Sequence, residues 1–190
     1  MGLGNIVRTI GLLEDAVIGN AKTINNNTLM ALVKTLSQNM TRTAIKTGLA
    51  LDAGDQVDVF TVTGGYILLL GMTVILTEAV SAHAALIGFV HDPPAAYGAS
   101  TTDIATETAS ADLQSGAIGD AFAADLDATA VVKYAHGTAL APHGKVHPGG
   151  LVLPPGGIDI TISTSNPTSG IGDVIAHYKP LTADAYLVVA

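Results

Sequence analysis

From Gly48 onward the chain is written in short stretches of Val, Ile and Thr, cut at intervals by Gly and Pro, and this restricts the fold more than anything else in it. β-Branched side chains lose little freedom on a pleated surface, whereas Gly and Pro end or bend whatever element they interrupt. The clearest stretch is Ile158, Ile160 and Ile162 alternating with Asp159, Thr161 and Ser163. A period of two puts the isoleucines on one face and the polar residues on the other, as in a half-buried strand. Gln56–Thr63 predicts a strand running into a tight turn at Gly64-Gly65. Further strands are predicted over Ala84–Val90, Val131–Tyr134, Leu151–Leu153, Val174–Lys179 and Ala185–Val189, with short strands and loops across residues 95–128. The fold class expected is mainly β, an antiparallel β-sandwich of jelly-roll type.

Tyr66–Leu76 is apolar for 11 residues, and Tyr66–Val80 is expected to form one long strand or a pair, with Gly71 a candidate bulge. A continuous apolar run implies burial on both faces. A membrane-spanning helix needs about 20 such residues, so the run is expected to be core or interface, and no membrane contact is expected.

The first 48 residues have a different period. Ile6, Val7, Ile10, Leu13 and Val17 recur at helical spacing, and Gly19-Asn20 supplies a stop. After the Asn25–Thr28 cluster, where Thr28 can act as an N-cap, Leu29, Leu32, Val33, Leu36 and Met40 form a second helical stripe. Residues 1–48 are therefore expected to be a partly helical arm with a linker, and residues 49–190 the β-sandwich domain.

Charge is scarce. Charged residues make up 13% of the chain against 48% hydrophobic, where an average soluble domain carries about 25% charged residues. Large apolar patches on soluble proteins mark interaction sites, so the shortage implies surface buried against other subunits. The candidate interface residues are Leu29, Leu32, Val33, Leu36 and Met40 on the helical stripe, with Tyr66, Leu68 and Leu70 in the apolar run. The net charge of −8 is also uneven. Residues 1–48 hold five basic side chains against two acidic, the remainder three against fourteen, and no Lys or Arg lies between Lys46 and Lys133. Binding to phosphates needs cations, so no direct nucleic-acid contact is expected of the body. The basic segment suits docking on an acidic protein surface.

Chemistry-bearing motifs are thin. Without cysteine there is neither a disulfide nor a thiol nucleophile, and no G-x-S-x-G, P-loop or G-x-G-x-x-G occurs. Glu14 and Asp15 interrupt the early apolar stretch, which argues against a secretory segment. His143 and His147 stand four apart with His136 nearby, but Pro142, Gly144, Pro148 and Gly149 argue against a helix that would aim both at one metal. They are read as loop histidines. His83, His91 and His177 are read as surface or interface residues, and Asp120, Asp125 and Asp127 as solvated loop carboxylates. No catalytic residue, metal site or cofactor is expected, and the chain is not expected to be an enzyme.

The segment Asp58-Val59-Phe60-Thr61-Val62-Thr63-Gly64-Gly65-Tyr66-Ile67-Leu68-Leu69-Leu70-Gly71 resembles the strand–turn–strand that opens a β-sandwich in many small virion proteins of tailed bacteriophages. Thr102–Ala105, Val152–Ile158 and Tyr178–Leu181 follow in a similar order, and the resemblance covers roughly residues 50–190. Tyr66 departs from it, since that family tends to have Pro there, as does the alanine-rich stretch 95–128. The family resembled is that of capsid decoration, or cement, proteins. That resemblance implies a homotrimer seated on the outer surface of a capsid, with the major capsid protein as partner, assembled in the host cytoplasm and carried in the virion. The N-terminal arm would reach across neighbouring subunits. A phage fibre or tail-tip host-binding module is the first alternative. A metal-dependent jelly-roll enzyme resting on His136, His143 and His147 is the second.

Overall fold

The computed structural model of the chain describes residues 40–52, 56–81, 84–98, 100–107, 112–114, 116–126, 130–134, 149–163 and 167–190. The chain divides into Met1–Met40 and Thr41–Ala190, and the account below concerns the second unit. It is mainly β. The strands are β1 (Arg42–Ala50), β2 (Gln56–Thr63), β3 (Ile67–Leu76), β4 (Leu86–Asp92), β5 (Thr102–Ala105), β6 (Ala121–Asp125), β7 (Ala130–Tyr134), β8 (Leu151–Leu153), β9 (Gly156–Ser163), β10 (Ile171–Pro180) and β11 (Tyr186–Val189), with one turn of 3-10 helix at Ala95–Tyr97.

Two antiparallel sheets result. One runs β1-β10-β3-β6-β7, with β8 also pairing β3, and the other runs β11-β2-β9-β4-β5. Their inner faces meet in a core of β-branched and aromatic side chains. Ile158 and Ile160 from β9, Phe60 and Val62 from β2 and Phe89 from β4 oppose Val74 from β3, Val174 from β10 and Phe122 from β6. The alternation read at Ile158–Ile162 is this inward face. Tyr178 is buried with the core, and its hydroxyl accepts the Leu187 backbone N–H at 3.3 Å, which gives the polar end of the ring a partner on the facing sheet.

β3 shows why an apolar run need not keep one parity. Opposite His177 and Tyr178 of β10, the pairing passes from Gly71 to Leu69 and leaves Leu70 as an extra residue. This is the bulge expected near Gly71. Ile67 and Leu69 face the core before it, and Met72, Val74 and Leu76 after it. Between the half-buried Leu68 and Ile75, every residue of β3 is buried, so both faces of its middle are covered.

Several expected boundaries move. The division expected after Gly48 falls inside β1, which pairs with β10 from Arg42 through Ala50 and joins those residues to the sandwich. β4 continues past Val90 through His91 and Asp92, because β9 pairs with it as far as Gly157. The stretch 95–128 holds short β5 and β6 with connecting turns, as its composition indicated.

Two polar readings are corrected. His91 is buried at 3% exposure instead of lying at the surface, because it occupies an inward position of β4 and its Nε2 lies 3.1 Å from the Pro154 carbonyl. Asp120 is buried too, not a solvated carboxylate. It accepts the Ala117 backbone N–H at 3.1 Å and lies 3.6 Å from the Lys133 ammonium, which itself stands over the Phe122 ring.

Candidate functional site

Four connections meet at one end of the sandwich. The β2–β3 turn carries Gly64 and Gly65 at φ of 72° and 137°, a backbone that L side chains resist. The turn is held to the β10–β11 connection: Thr182 Oγ1 accepts the Tyr66 N–H at 3.0 Å, and the Tyr66 carbonyl accepts the Leu181 N–H at 2.9 Å. This fixes Tyr66 at the surface, where its ring meets Tyr97 edge to face, with centroids 6.0 Å apart and planes at 89°. Tyr97 comes from the 3-10 turn that follows Pro93-Pro94. The fourth connection joins β8 to β9 through Pro154 and Pro155.

A cleft of about 250 Å³ opens here between β5 and β8. Tyr97, Ile104, Leu151 and Leu153 give it apolar walls, while Ser100, Thr102 and Asp103 supply polar groups. Around it five large hydrophobic side chains remain in solvent: Tyr66, Tyr97, Leu151, Val152 at 55% exposure and Leu181. His91 lies on the cleft lining and is held by the Pro154 carbonyl. A carbonyl only accepts, so Nε2 carries the hydrogen and Nδ1 is the bare nitrogen of a neutral ring. Burial pushes the His91 pKa down, against smaller upward effects from the Pro154 hydrogen bond and the Asp92 charge. The unfolded chain therefore binds this proton more readily, and His91 withdraws stability as the pH falls below 6.5 toward its folded value.

A second group of exposed apolar side chains lies where the outermost strands of the two sheets adjoin. Ile45 on β1 and Tyr186, Val188 and Val189 on β11 stand in solvent, and the Lys46 ammonium donates to the Ala190 carbonyl across the seam.

The outer face of the second sheet is acidic. Asp58 on β2 is directly opposite Asp159 on β9, which is opposite Val90 on β4, which in turn is opposite Asp103 on β5. Asp159 is buried and accepts the Gln56 amide at 2.5 Å. Its pKa is raised, first by burial, with the Gln56 hydrogen bond opposing and the Asp58 and Asp92 charges adding to it. Its folded pKa thus lies above the unfolded value of 3.8. The carboxylate then costs nothing while protonated in both states and costs most once the pH has risen through the folded value. Asp159→Asn keeps an oxygen for Gln56 and removes the charge. At pH 7 it is expected to stabilise the protein by about 0.2–1 kcal/mol, the usual size of a cross-strand like-charge penalty, and to give no gain below pH 3.8. Urea midpoints at the two pH values measure this, and an equal gain at both would remove the electrostatic explanation.

Of the interface candidates, Leu29, Leu32, Val33 and Leu36 lie outside the described residues. Met40 is exposed just before β1, Tyr66 is exposed at the turn end, Leu68 is half-buried on β3, and Leu70 is the buried bulge residue. Two of them adjoin the cleft: Tyr66 through its ring contact with Tyr97, and Leu68 through its pairing with Val152 of β8. Tyr97, Leu151, Val152 and Leu181 were not singled out by sequence reasoning. The available signal was an aromatic or aliphatic residue held among Pro and Gly, as in Pro93-Pro94-Ala95-Ala96-Tyr97-Gly98. His83, His136, His143, His147 and Asp127 lie outside the described residues, while His177 is half-buried, with Nδ1 3.1 Å from the Thr43 hydroxyl. Among the described residues, no group of three or more His, Asp or Glu is placed to hold a metal ion, and no helix is long and apolar enough to cross a membrane. No protein-family model, curated protein or solved structure matches the chain.

Proposed function

We propose that this chain is a structural virion protein, a capsid decoration subunit that acts as a homotrimer on the outer surface of a phage capsid and stabilises the joints between capsomers. One observation carries the reading: large apolar side chains stay in solvent in two groups, at the turn end and along the β1–β11 seam, on a chain with few charges to keep such a surface soluble. Two separate apolar surfaces suit a subunit that contacts both its own copies and a second protein. The virion setting rests on the resemblance of Asp58–Gly71, which forms β2, its turn and the first half of β3.

The jelly-roll reading belongs to the same proposal and is supported by strand order. β1-β10-β3-β6 faces β2-β9-β4-β5, the interleaving that two Greek keys produce, with β7 and β8 inserted and β11 added at the edge. The helical reading of the segment before β1 is part of it as well. The role is mechanical, not catalytic. Three linked copies gain avidity, so modest contacts per subunit hold a joint under load.

The test is solution mass followed by co-sedimentation with expanded empty capsids of the virus that encodes the chain. The expected mass is three times the 19.2 kDa of one chain, with binding and a raised capsid melting temperature. A monomer that leaves the capsids unchanged sinks the proposal. The tyrosine pair beside the cleft favours one second reading, a fibre or tail-tip module that binds the host surface. Binding to host cells with none to capsids would select it.

A further inference from the structure

We propose that the cleft between β5 and β8 is a docking site for an extended peptide segment of a partner protein, one that inserts an apolar side chain beside Tyr97 and sets a Lys or Arg against Asp103. This goes beyond the decoration reading and stands whether or not the partner is a capsid.

Size comes first. About 250 Å³ is below the roughly 300–1,000 Å³ of small-molecule sites, and it suits one or two side chains. The apolar surface continues outside the cleft onto Tyr66 and Leu181, which a small ligand would leave uncovered and a peptide would cover. Aromatic side chains beside a cleft that admits an anchor are the usual centre of a protein-binding surface.

Charge comes second. Asp103 is exposed on the rim, and no Lys or Arg lines the cleft. Asp92 stands nearby and accepts the Thr101 hydroxyl at 3.2 Å. Such a rim repels an acidic segment and attracts a basic one. The backbone comes third. Among the described residues, β5 is the outer strand of its sheet and is paired along Thr102–Ala105 with β4 alone. Its outward N–H and C=O groups favour a partner in extended conformation. The frame is also fixed before binding, because the β2–β3 turn and the β10–β11 connection hold Tyr66 in place.

The experiment uses the full chain and a library of random nine-residue peptides displayed on their own mRNA. Selected peptides are measured again on Tyr97→Ala and Asp103→Asn, both exposed positions, after thermal melting has shown the variants to be folded. The expected consensus is an apolar residue adjoining Lys or Arg. Tyr97→Ala should weaken these peptides about tenfold, and Asp103→Asn should abolish the preference for the basic residue over a neutral one. Three results would overturn the proposal: no enrichment, an acidic consensus, or binding indifferent to both variants. So would a change of oligomeric mass in Tyr97→Ala, since the surface would then be a contact between copies of this chain.

Discussion

Gly64→Ala is expected to destabilise the sandwich by about 2–5 kcal/mol, far more than the same change at Gly48, which should cost about 1–2 kcal/mol. Both glycines have φ near +70°, where an L side chain meets the following carbonyl, so the conformational cost is shared. The surroundings separate them. A Cβ at Gly48 has nothing within 4 Å, whereas one at Gly64 would stand 1.9 Å from the Asp184 carbonyl oxygen and 2.6 Å from its carbon. Those are backbone atoms of the β10–β11 connection, so relief means parting the two turns that hold Tyr66. Urea unfolding of the full-length variants measures the difference. Equal losses at the two sites would mean that the turns are not pressed together, and the fixed frame claimed for the turn end would go with them. A lesser form of the same result should appear in the peptide measurement, since parted turns release Tyr66 from Tyr97.

Much of this was legible because it was local. The alternation at Ile158–Ile162 marks an inward face whichever strands pair with it, and Gly64-Gly65 announces a turn through backbone chemistry alone. Gly71 likewise marked the bulge, since a residue without Cβ in an apolar strand is where the pleat can slip. What stayed hidden depends on partners distant in sequence. His91 and Asp92 read as lying beyond a strand that ends at Val90, because nothing near them shows that β9 continues alongside. Pro154, which accepts from His91, is 63 residues away. Asp120 reads as a loop carboxylate until β7 brings Lys133 beside it. β1 read as linker because Arg42, Lys46 and Gly48 interrupt any apolar alternation. Its place is set by pairing with β10, more than 120 residues later. The cleft was the least legible feature of all. Its walls come from β4, β5 and β8, and no single one of these carries a motif.

Phe89→Ala is expected to cost about 3–5 kcal/mol, enough to unfold a domain of ordinary stability or leave it marginal. Phe89 has no solvent exposure and lies on the inner face of β4, opposite Ile160 on β9 and Ala105 on β5. The ring is fully buried in the close-packed core between the sheets, so truncation leaves a cavity. Phe89→Leu should recover more than half of the loss, because most of the volume returns. Val152→Ala offers the contrast. It removes apolar atoms from a side chain that is mostly in solvent and should change stability by no more than about 0.5 kcal/mol. Calorimetric melting of the three variants measures the series. If Val152→Ala lost as much as Phe89→Ala, Val152 would be core, and the turn end could not be the surface on which a partner docks. If only Phe89→Ala loses stability while Val152→Ala loses partner binding, the chain's two sets of apolar side chains have separate duties: one holds the sheets together, the other is kept in solvent for a second protein to cover.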